Sequence, residues 1–486
     1  MQAPIAMTNL AHIHALLPKS RLQNVELDQA ENIFISRVGS DSRHLEPGEL
    51  FVALRGERFD AHQFLDSVQK QGASAALVSE QSLCPTSFPA VYVSDTRKSL
   101  GELACAWRKQ FSIPLVTVTG SNGKTTVKEM IASIFREAVG RSHTLVTEGN
   151  LNNDIGLPLT LLKLRSDHRL AVIELGMNHP GETAELAKIA LPTIALINNA
   201  QREHQEFMKS VEAVAIEHAD VLKALPTDGI GVFPGDTPFS ELWKKTCGSK
   251  QHLMFVWAKN TNEQKHPIEP NTVQGFQLPD GALQIRTIRG DIQIRLNTLG
   301  EHNYQNALAA VTVAQAAGIS IEHIKAGLEK FYPVAGRMQQ LVLNDRIHLI
   351  DDSYNANPDS VTAAVNTLVA CPGERFLVLG DMGEVGTNGP AFHREIGSYA
   401  AQQGIEHLLT LGELSKESYL AYQEKAANTD SQHFDDINQL NEKLLKQLLQ
   451  LTASSDQRVT VLIKGSRFMR MERVVNALVQ GVKTCS

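Results

Sequence analysis

From Pro114 onward the chain repeats one rhythm of apolar run, polar turn and helical stretch, written in turn as "PLVTVTG", "RLAVIELG", "TIALINNA" and "GIGVFPG". Runs that are apolar at nearly every position predict strands buried on both faces, hence a mostly parallel sheet covered by helices. The stretch "GALQIRTIRGDIQIRLNTLG" differs, because Ile292, Ile294 and Leu296 alternate with polar residues. That alternation predicts an antiparallel hairpin turning at Gly290-Asp291. A second α/β rhythm starts near Arg337 with "RIHLIDD", "RFLVLGD", "HLLTLG" and "VTVLIKG". Ahead of both, short strands are expected around residues 33–35 and 50–54 and in "ASAALVSE" and "AVYVSD". The helix-like "RKSLGELACAWRKQF" bridges onward, and the polar "KNTNEQKHPIEPN" reads as a loop.

Length agrees with this division. A chain of 486 residues exceeds one hydrophobic core and favours about three domains of roughly 150 residues. The formal charge of -7 is spread out with no long basic block, which argues against a dedicated nucleic-acid or membrane-surface protein. Cys84, Cys105, Cys247, Cys371 and Cys485 are odd in number and form no CxxC pair, so neither a disulfide framework nor a zinc site is expected. A reducing cytoplasm fits that usage. No signal-peptide core is visible, and no apolar run approaches the roughly 20 residues that span a bilayer.

The first candidate chemistry lies in "TVTGSNGKTTVKEM". The common phosphate-binding loop, G-x-x-x-x-G-K-[ST], wants glycine where Val118 stands, and Gly120 comes two residues later. The context is nevertheless that of a phosphate loop: a buried strand leads in, and Val127, Met130, Ile131, Ile134 and Phe135 follow at helical spacing. Free N–H groups and the positive end of a helix make such a turn an anion site. Lys124 at that positive end is unfavourable unless an anion is bound, so a phosphate site explains it better than a plain glycine turn. The Thr125 or Thr126 hydroxyl is positioned to ligate magnesium. Ligands in doubly wound sheets gather at the carboxyl edge of the strands. Glu174, ending "LAVIELG", and His204, following the next strand, are the expected further metal ligands, against readings as a paired acid and a packed histidine. Asn150, Asn152, Asn153 and Asp154 either form turns and caps or hold a substrate carboxylate.

These residues resemble a known family. "TGSNGKTT" is similar to the shortened ATP loop of the Mur ligases and of folylpolyglutamate synthetases, which form amide bonds at carboxylates. "DDSYNANPDS", "TEGNLNNDIGLPLTLL", "GEHNYQNALAA" and "KGSR" resemble the Mur ligase branch that adds D-alanyl-D-alanine to UDP-N-acetylmuramoyl-tripeptide, and the likeness runs through all three expected domains. The histidine-containing and acidic-Asn-Pro-Arg motifs of the diaminopimelate-adding type are missing. The resemblance implies an α/β fold of three domains. Residues 1–95 would form a small mixed α/β domain binding the UDP-muramoyl substrate, and residues 96–333 a central, mostly parallel ATPase domain with the P-loop. Residues 334–486 would form a Rossmann-like doubly wound domain binding the incoming dipeptide.

Roles follow from the same resemblance. Gly120, Ser121, Asn122, Gly123, Lys124, Thr125 and Thr126 would hold the ATP phosphates, with Thr125, Glu174 and His204 organising Mg2+. Asn303 and Asn306 match the adenine-contacting stretch, with capping of the next helix as the alternative; Arg337 matches an arginine that reaches ATP phosphate, and Asp352 an acid that contacts ribose. Ser42, Arg43, Arg55, Asp60 and His62 match the uridine-nucleotide segment. Tyr354 and Asn355 are expected at the dipeptide, and Asn357 caps a helix begun by Pro358. Lys464, Ser466 and Arg467 either bind a carboxylate or make a basic surface turn. Many Mur ligases carry a carbamylated lysine after the histidine; that place here is His218, with Glu217 or Asp220 as candidate substitutes. The expected catalytic set is Lys124, Glu174, His204 and Arg337, acting in a cytoplasmic monomer whose domains close during turnover. A folate-type ligase and a nucleotide-binding switch or transport ATPase are the rivals, the switch weakened by the lack of an N-K-x-D motif. The third residue of the tripeptide stays open.

Overall fold

The computed structural model describes residues 6–56, 59–259, 263, 268–426 and 430–485. Among them the largest sheet has nine strands. From one edge these are Thr144–Val146, Leu170–Glu174, Leu115–Thr119, Ile194–Ile197, Ile230–Pro234, Gln251–Trp257 and Thr272–Gln277, all parallel. Leu283–Thr287 and Gly290–Ile294 complete the other edge antiparallel.

The apolar runs have a physical cause visible in the packing. Along the central strands alternate residues enter two separate cores: Leu115, Ala171 and Ile173 pack into one, while Val116, Val118 and Val172 meet Met130, Ile131, Ile134 and Phe135 of the helix Lys124–Val139 in the other. Both faces are buried, which is why the runs are apolar at nearly every position until Glu174 at a strand end. The first of these cores continues into the five-stranded sheet nearer the N-terminus through Leu10, Leu50, Leu77 and Leu103. The helix Thr96–Arg108 lies along that shared core. A six-stranded sheet carries the C-terminal rhythm, with Gln339–Val342 antiparallel at one edge and Ile347–Asp352, Val459–Lys464, Glu374–Gly380, His407–Leu411 and Gln432–Phe434 parallel. It too splits alternate residues between two cores.

One local reading needs correction. The hairpin turns at Ile288 and Arg289, not at Gly290-Asp291, because Thr287 pairs with Gly290 and Arg286 with Asp291. Thr287 Oγ1 accepts from the Arg289 N–H at 3.0 Å and donates to the Gly290 carbonyl at 2.8 Å, which closes the turn two residues early. The resulting register sets Ile285 opposite Ile292 and Leu283 opposite Ile294, all buried. Of the polar stretch read as a loop, residues 260–262 and 264–267 lie outside the described residues.

Candidate functional site

The strand Leu115–Thr119 ends in Gly120, whose φ is +137°, and the following helix is capped by Gly123 at φ +77°. A Cβ on Gly123 would stand 2.5 Å from Asn306 Oδ1, so this position requires glycine for space as well as for backbone conformation. A chain of amides braces the loop. Asn198 Nδ2 donates to the Asn122 carbonyl at 2.8 Å and to Asn306 Oδ1 at 3.0 Å. Asn306 Nδ2 donates to Asn303 Oδ1 at 3.1 Å, and Asn303 Nδ2 to the Leu299 carbonyl at 2.7 Å. Asn199 Oδ1 accepts from the Asn122 N–H at 2.9 Å. Asn303 and Asn306 therefore do not cap their helix, whose N-cap is Gly300 without a side-chain bond; they are buried links between that helix and the loop.

Lys124 is folded back over its own turn. Its ammonium donates to the Gly120 carbonyl, to the Ser121 carbonyl at 3.3 Å and to Glu203 Oε2 at 3.4 Å. Glu174 is 2% exposed at the end of its strand. Oε1 accepts from Asn152 Nδ2 at 2.8 Å, while Oε2 is buried with no partner. A buried carboxylate oxygen left unpaired is costly, and an orphan beside a phosphate loop suits a cation. Among the described residues no cluster of three or more His, Cys, Asp or Glu side chains is poised to cage a metal. Magnesium does not need such a cage: it takes one or two carboxylates and completes its shell with phosphates and water. The residues present fit it. His204 stands in the left-handed backbone region at φ +46°, with its Nδ1 2.7 Å from Glu384 Oε2 and its Nε2 3.8 Å from Glu203 Oε2.

Neither Glu217 nor Asp220 takes the place opened by His218. Glu217 accepts from the Gly181 and Thr183 N–H groups at 2.9 and 3.0 Å, at the start of another helix, and Asp220 pairs with Lys223 one turn along its own helix. The carboxylate facing the phosphate loop is Glu203, from the loop before the helix, anchored by His218 Nε2 at 2.8 Å. Burial alone would raise the Glu203 carboxyl, but the Lys124 charge, with the His218 and His204 rings, holds it well below the usual range.

The opposite wall comes from the six-stranded sheet. Arg337 lies 4.1 Å from the centre of the Tyr354 ring, and Arg467 lies 5.7 Å from it. Asp352 accepts from the Met338 N–H at 3.1 Å and pairs with Lys464 Nζ at 2.5 Å. Lys464, 3% exposed, also donates to the Asn355 carbonyl at 2.9 Å, so it is no surface turn. Ser466 Oγ bridges the Ala356 carbonyl and the Gly383 N–H at 2.9 and 2.7 Å. Asn357 caps the helix Pro358–Val369 through Ser360 and also donates to Asn122 Oδ1 of the phosphate loop at 2.9 Å. Burial pushes the His302 imidazole, which lines the same space, down to about 4.

These walls enclose one cavity of about 1190 Å³, lined by Ser121, Lys124, Thr125, Thr126, Glu174 and His204 on one side and by Arg337, Asp352, Tyr354, Asn355, Lys464 and Arg467 on the other. Asn150 and Asn153 line it as well, Asn153 Oδ1 also accepting from the Gly156 N–H at 2.9 Å at the next helix start. Arg202 ties the walls together: its guanidinium bonds Asp359 at 2.7 and 3.0 Å and Glu395 at 2.9 and 3.0 Å.

Ser42, Arg43, Arg55, Asp60 and His62 lie outside that cavity's lining. Arg43 forks onto Asp41 at 2.8 and 2.9 Å, and Arg55 pairs with Asp60 at 3.2 Å. His62, 2% exposed, has Nδ1 against Asp60 at 2.5 Å and accepts from the Ser79 N–H through Nε2 at 2.9 Å. Both ring nitrogens are engaged within the first sheet region. Sequence reasoning missed Glu203, Glu384, Arg202, Asn198 and His302. Only Glu203 carried a signal, as the acid beside His204.

Three family models match the chain: "Mur ligase middle domain" over residues 118–314, "Mur ligase, glutamate ligase domain" over residues 336–467 and "Mur ligase family, catalytic domain" over residues 34–110. The UDP-N-acetylmuramoyl-tripeptide--D-alanyl-D-alanine ligase of Escherichia coli (strain K12) is 39% identical over 450 residues, covering 93% of this chain and 95% of that protein. The ligase of the same name from Haemophilus influenzae is 37% identical over 454 residues, with coverages of 93% and 95%. A crystal structure of MurF from Acinetobacter baumannii aligns with a TM-score of 0.85 at 32% identity, covering 98% of this chain and 100% of that one.

Proposed function

The chain belongs to the Mur ligase family, and from that premise we propose that it joins D-alanyl-D-alanine to UDP-N-acetylmuramoyl-tripeptide. The ligation is ATP-driven and runs through an acyl phosphate, forming the pentapeptide precursor of peptidoglycan. The observation that carries this reading is the single cavity shared by the phosphate loop and the Tyr354 wall. A carboxylate must be phosphorylated before an amine can displace its oxygen, so phosphate site and amine site must open into one space from which water can be excluded.

In this reading the γ-phosphoryl passes to the terminal carboxylate of the tripeptide. The dipeptide amine attacks the acyl carbonyl, and phosphate leaves. Phosphoryl transfer asks the protein mainly for positioning and charge neutralisation. Lys124 and the N–H groups of residues 120–126 take the phosphates, and Arg337 leaves the Tyr354 ring to meet the transferred group. Asp352 is assigned to the ribose, and Asn303 and Asn306 to the adenine end of the site through the loop they brace. Thr125, Glu174 and His204 are the groups to hold Mg2+, which when bound neutralises phosphate charge. Tyr354, Asn355, Lys464, Ser466 and Arg467 are assigned to the dipeptide, with Asn357 fixing the helix beside it, and Asn150 and Asn153 to the tripeptide end.

The division into residues 1–95, 96–333 and 334–486 assigns the uridine nucleotide to the first unit, through Ser42, Arg43 and Arg55, with Asp60 and His62 as its frame. We assign the protein to the cytoplasm as a monomer; among the described residues no helix is long and apolar enough to cross a membrane. Phosphate release measured with each substrate omitted in turn tests the whole reading. Release is expected only when ATP, the muramoyl-tripeptide and D-alanyl-D-alanine are all present. Equal release with folate plus glutamate, or with ATP alone, overturns it.

A further inference from the structure

Glu203 is a negative charge built into a site meant for anions. Its side chain is 4% exposed and lines the cavity. It cannot turn away, because Oε1 is held at 2.8 Å by Nε2 of His218, a residue with no exposure. The other ring nitrogen of His218 stands 3.0 Å from Thr119 Oγ1 on the strand that leads into the phosphate loop. The tautomer that satisfies both contacts donates from Nε2 to Glu203 and accepts the Thr119 hydroxyl at Nδ1. Oε2 then points at the Lys124 ammonium, 3.4 Å away, and at His204 Nε2, 3.8 Å away.

Lys124 is thereby neutralised before any ligand arrives, its three donors taken by Gly120, Ser121 and Glu203. A bare polyphosphate entering this end of the cavity meets one ammonium already paired, and two buried carboxylates, Glu203 and Glu174. In a poorly solvated site such like charges repel strongly. A polyphosphate carrying a divalent cation meets the same carboxylates as attractive groups.

We propose that Glu203, locked in place by His218, makes nucleotide capture conditional on an accompanying divalent cation, so that it selects the metal complex of ATP over the free nucleotide. This deepens the ATP-ligase reading and rests on it. Glu203 acts here as a positioning and selecting residue rather than a catalytic one.

The test is calorimetric titration of the full chain with ATP, once with magnesium and once with a chelator, for the wild type and Glu203→Gln. The glutamine keeps the shape and an acceptor for His218 but removes the charge. Expected is about tenfold tighter binding of metal-free ATP, no gain for the magnesium complex, and a matching collapse in the ratio of the two affinities. Equal weakening of both forms, as from a mere brace of Lys124, overturns the proposal, and so does an unchanged ratio. Should the glutamine variant not fold, Glu203→Asp, which draws the charge back by one methylene, must shift the ratio in the same direction by a smaller factor. A wild type that binds magnesium ATP yet ligates nothing counts against the proposed reaction and leaves this measurement decisive for Glu203.

Discussion

The two walls of the cleft are built on different principles. On the central-sheet wall most polar groups near the phosphate loop are interlocked: Asn198, Asn303 and Asn306 form one chain of amides, and Lys124, Glu203 and His218 are linked in series, with Glu174 Oε2 left without a partner. Across from it, Arg337 rests on the face of Tyr354, a contact of about 1 kcal/mol that breaks without stranding a buried partner. A braced wall suits binding a ligand of fixed shape. Stacked guanidinium groups can shift without breaking a buried pair, unlike Lys464 and Asp352 on the same wall, and Arg202 and the His204–Glu384 pair fasten that wall to the other.

The sharpest way to break this contrast is Arg337→Ala. Because the guanidinium stacks rather than braces, the melting temperature should hold while turnover, read as phosphate release, drops by about a hundredfold. A fall in stability that matches the fall in rate would show that the C-terminal wall is braced like the other. A smaller effect is expected from Arg202→Ala, which removes four hydrogen bonds between the walls. KM for the dipeptide should rise about tenfold with a lesser change in kcat, checked by steady-state kinetics. Acidification gives the smallest effect. The His204 ring, its Nδ1 2.7 Å from Oε2, holds the Glu384 carboxyl below its usual 4.5. A depressed acid contributes fully above its unfolded pKa and loses that contribution as pH falls through the folded value. KM for the dipeptide should therefore rise about threefold below that range, and Glu384→Gln should flatten the profile; a wild-type profile already flat would remove the pair from the closing contacts.

Much of the fold was legible in the chain. "PLVTVTG", "RLAVIELG" and "VTVLIKG" became central parallel strands in which alternate residues enter cores on opposite faces of the sheet. Asn357 and Pro358 announced a helix start, and Asn357 caps it with Ser360. The hairpin turn was misread because a glycine draws attention to itself, whereas the turn is closed by the Thr287 hydroxyl. The turn at residues 120–126 was legible because a short motif carries its own geometry between strand and helix. The site was not legible where two remote residues make one object: nothing adjacent to His218 in the chain says that its ring will hold Glu203, fifteen positions earlier.

The sequence by itself determined the central apolar strands, the strand-to-helix turn at residues 120–126 and the family, because each is written in local spacing and backbone preference. Tertiary structure alone decided which charges pair. Whether Lys464 was a surface lysine or a buried partner of Asp352, and which carboxylate would face Lys124, depended on burial. A charge is cheap to place in water and costly to place unpaired in an interior, so its partner is chosen only when the chain has folded around it.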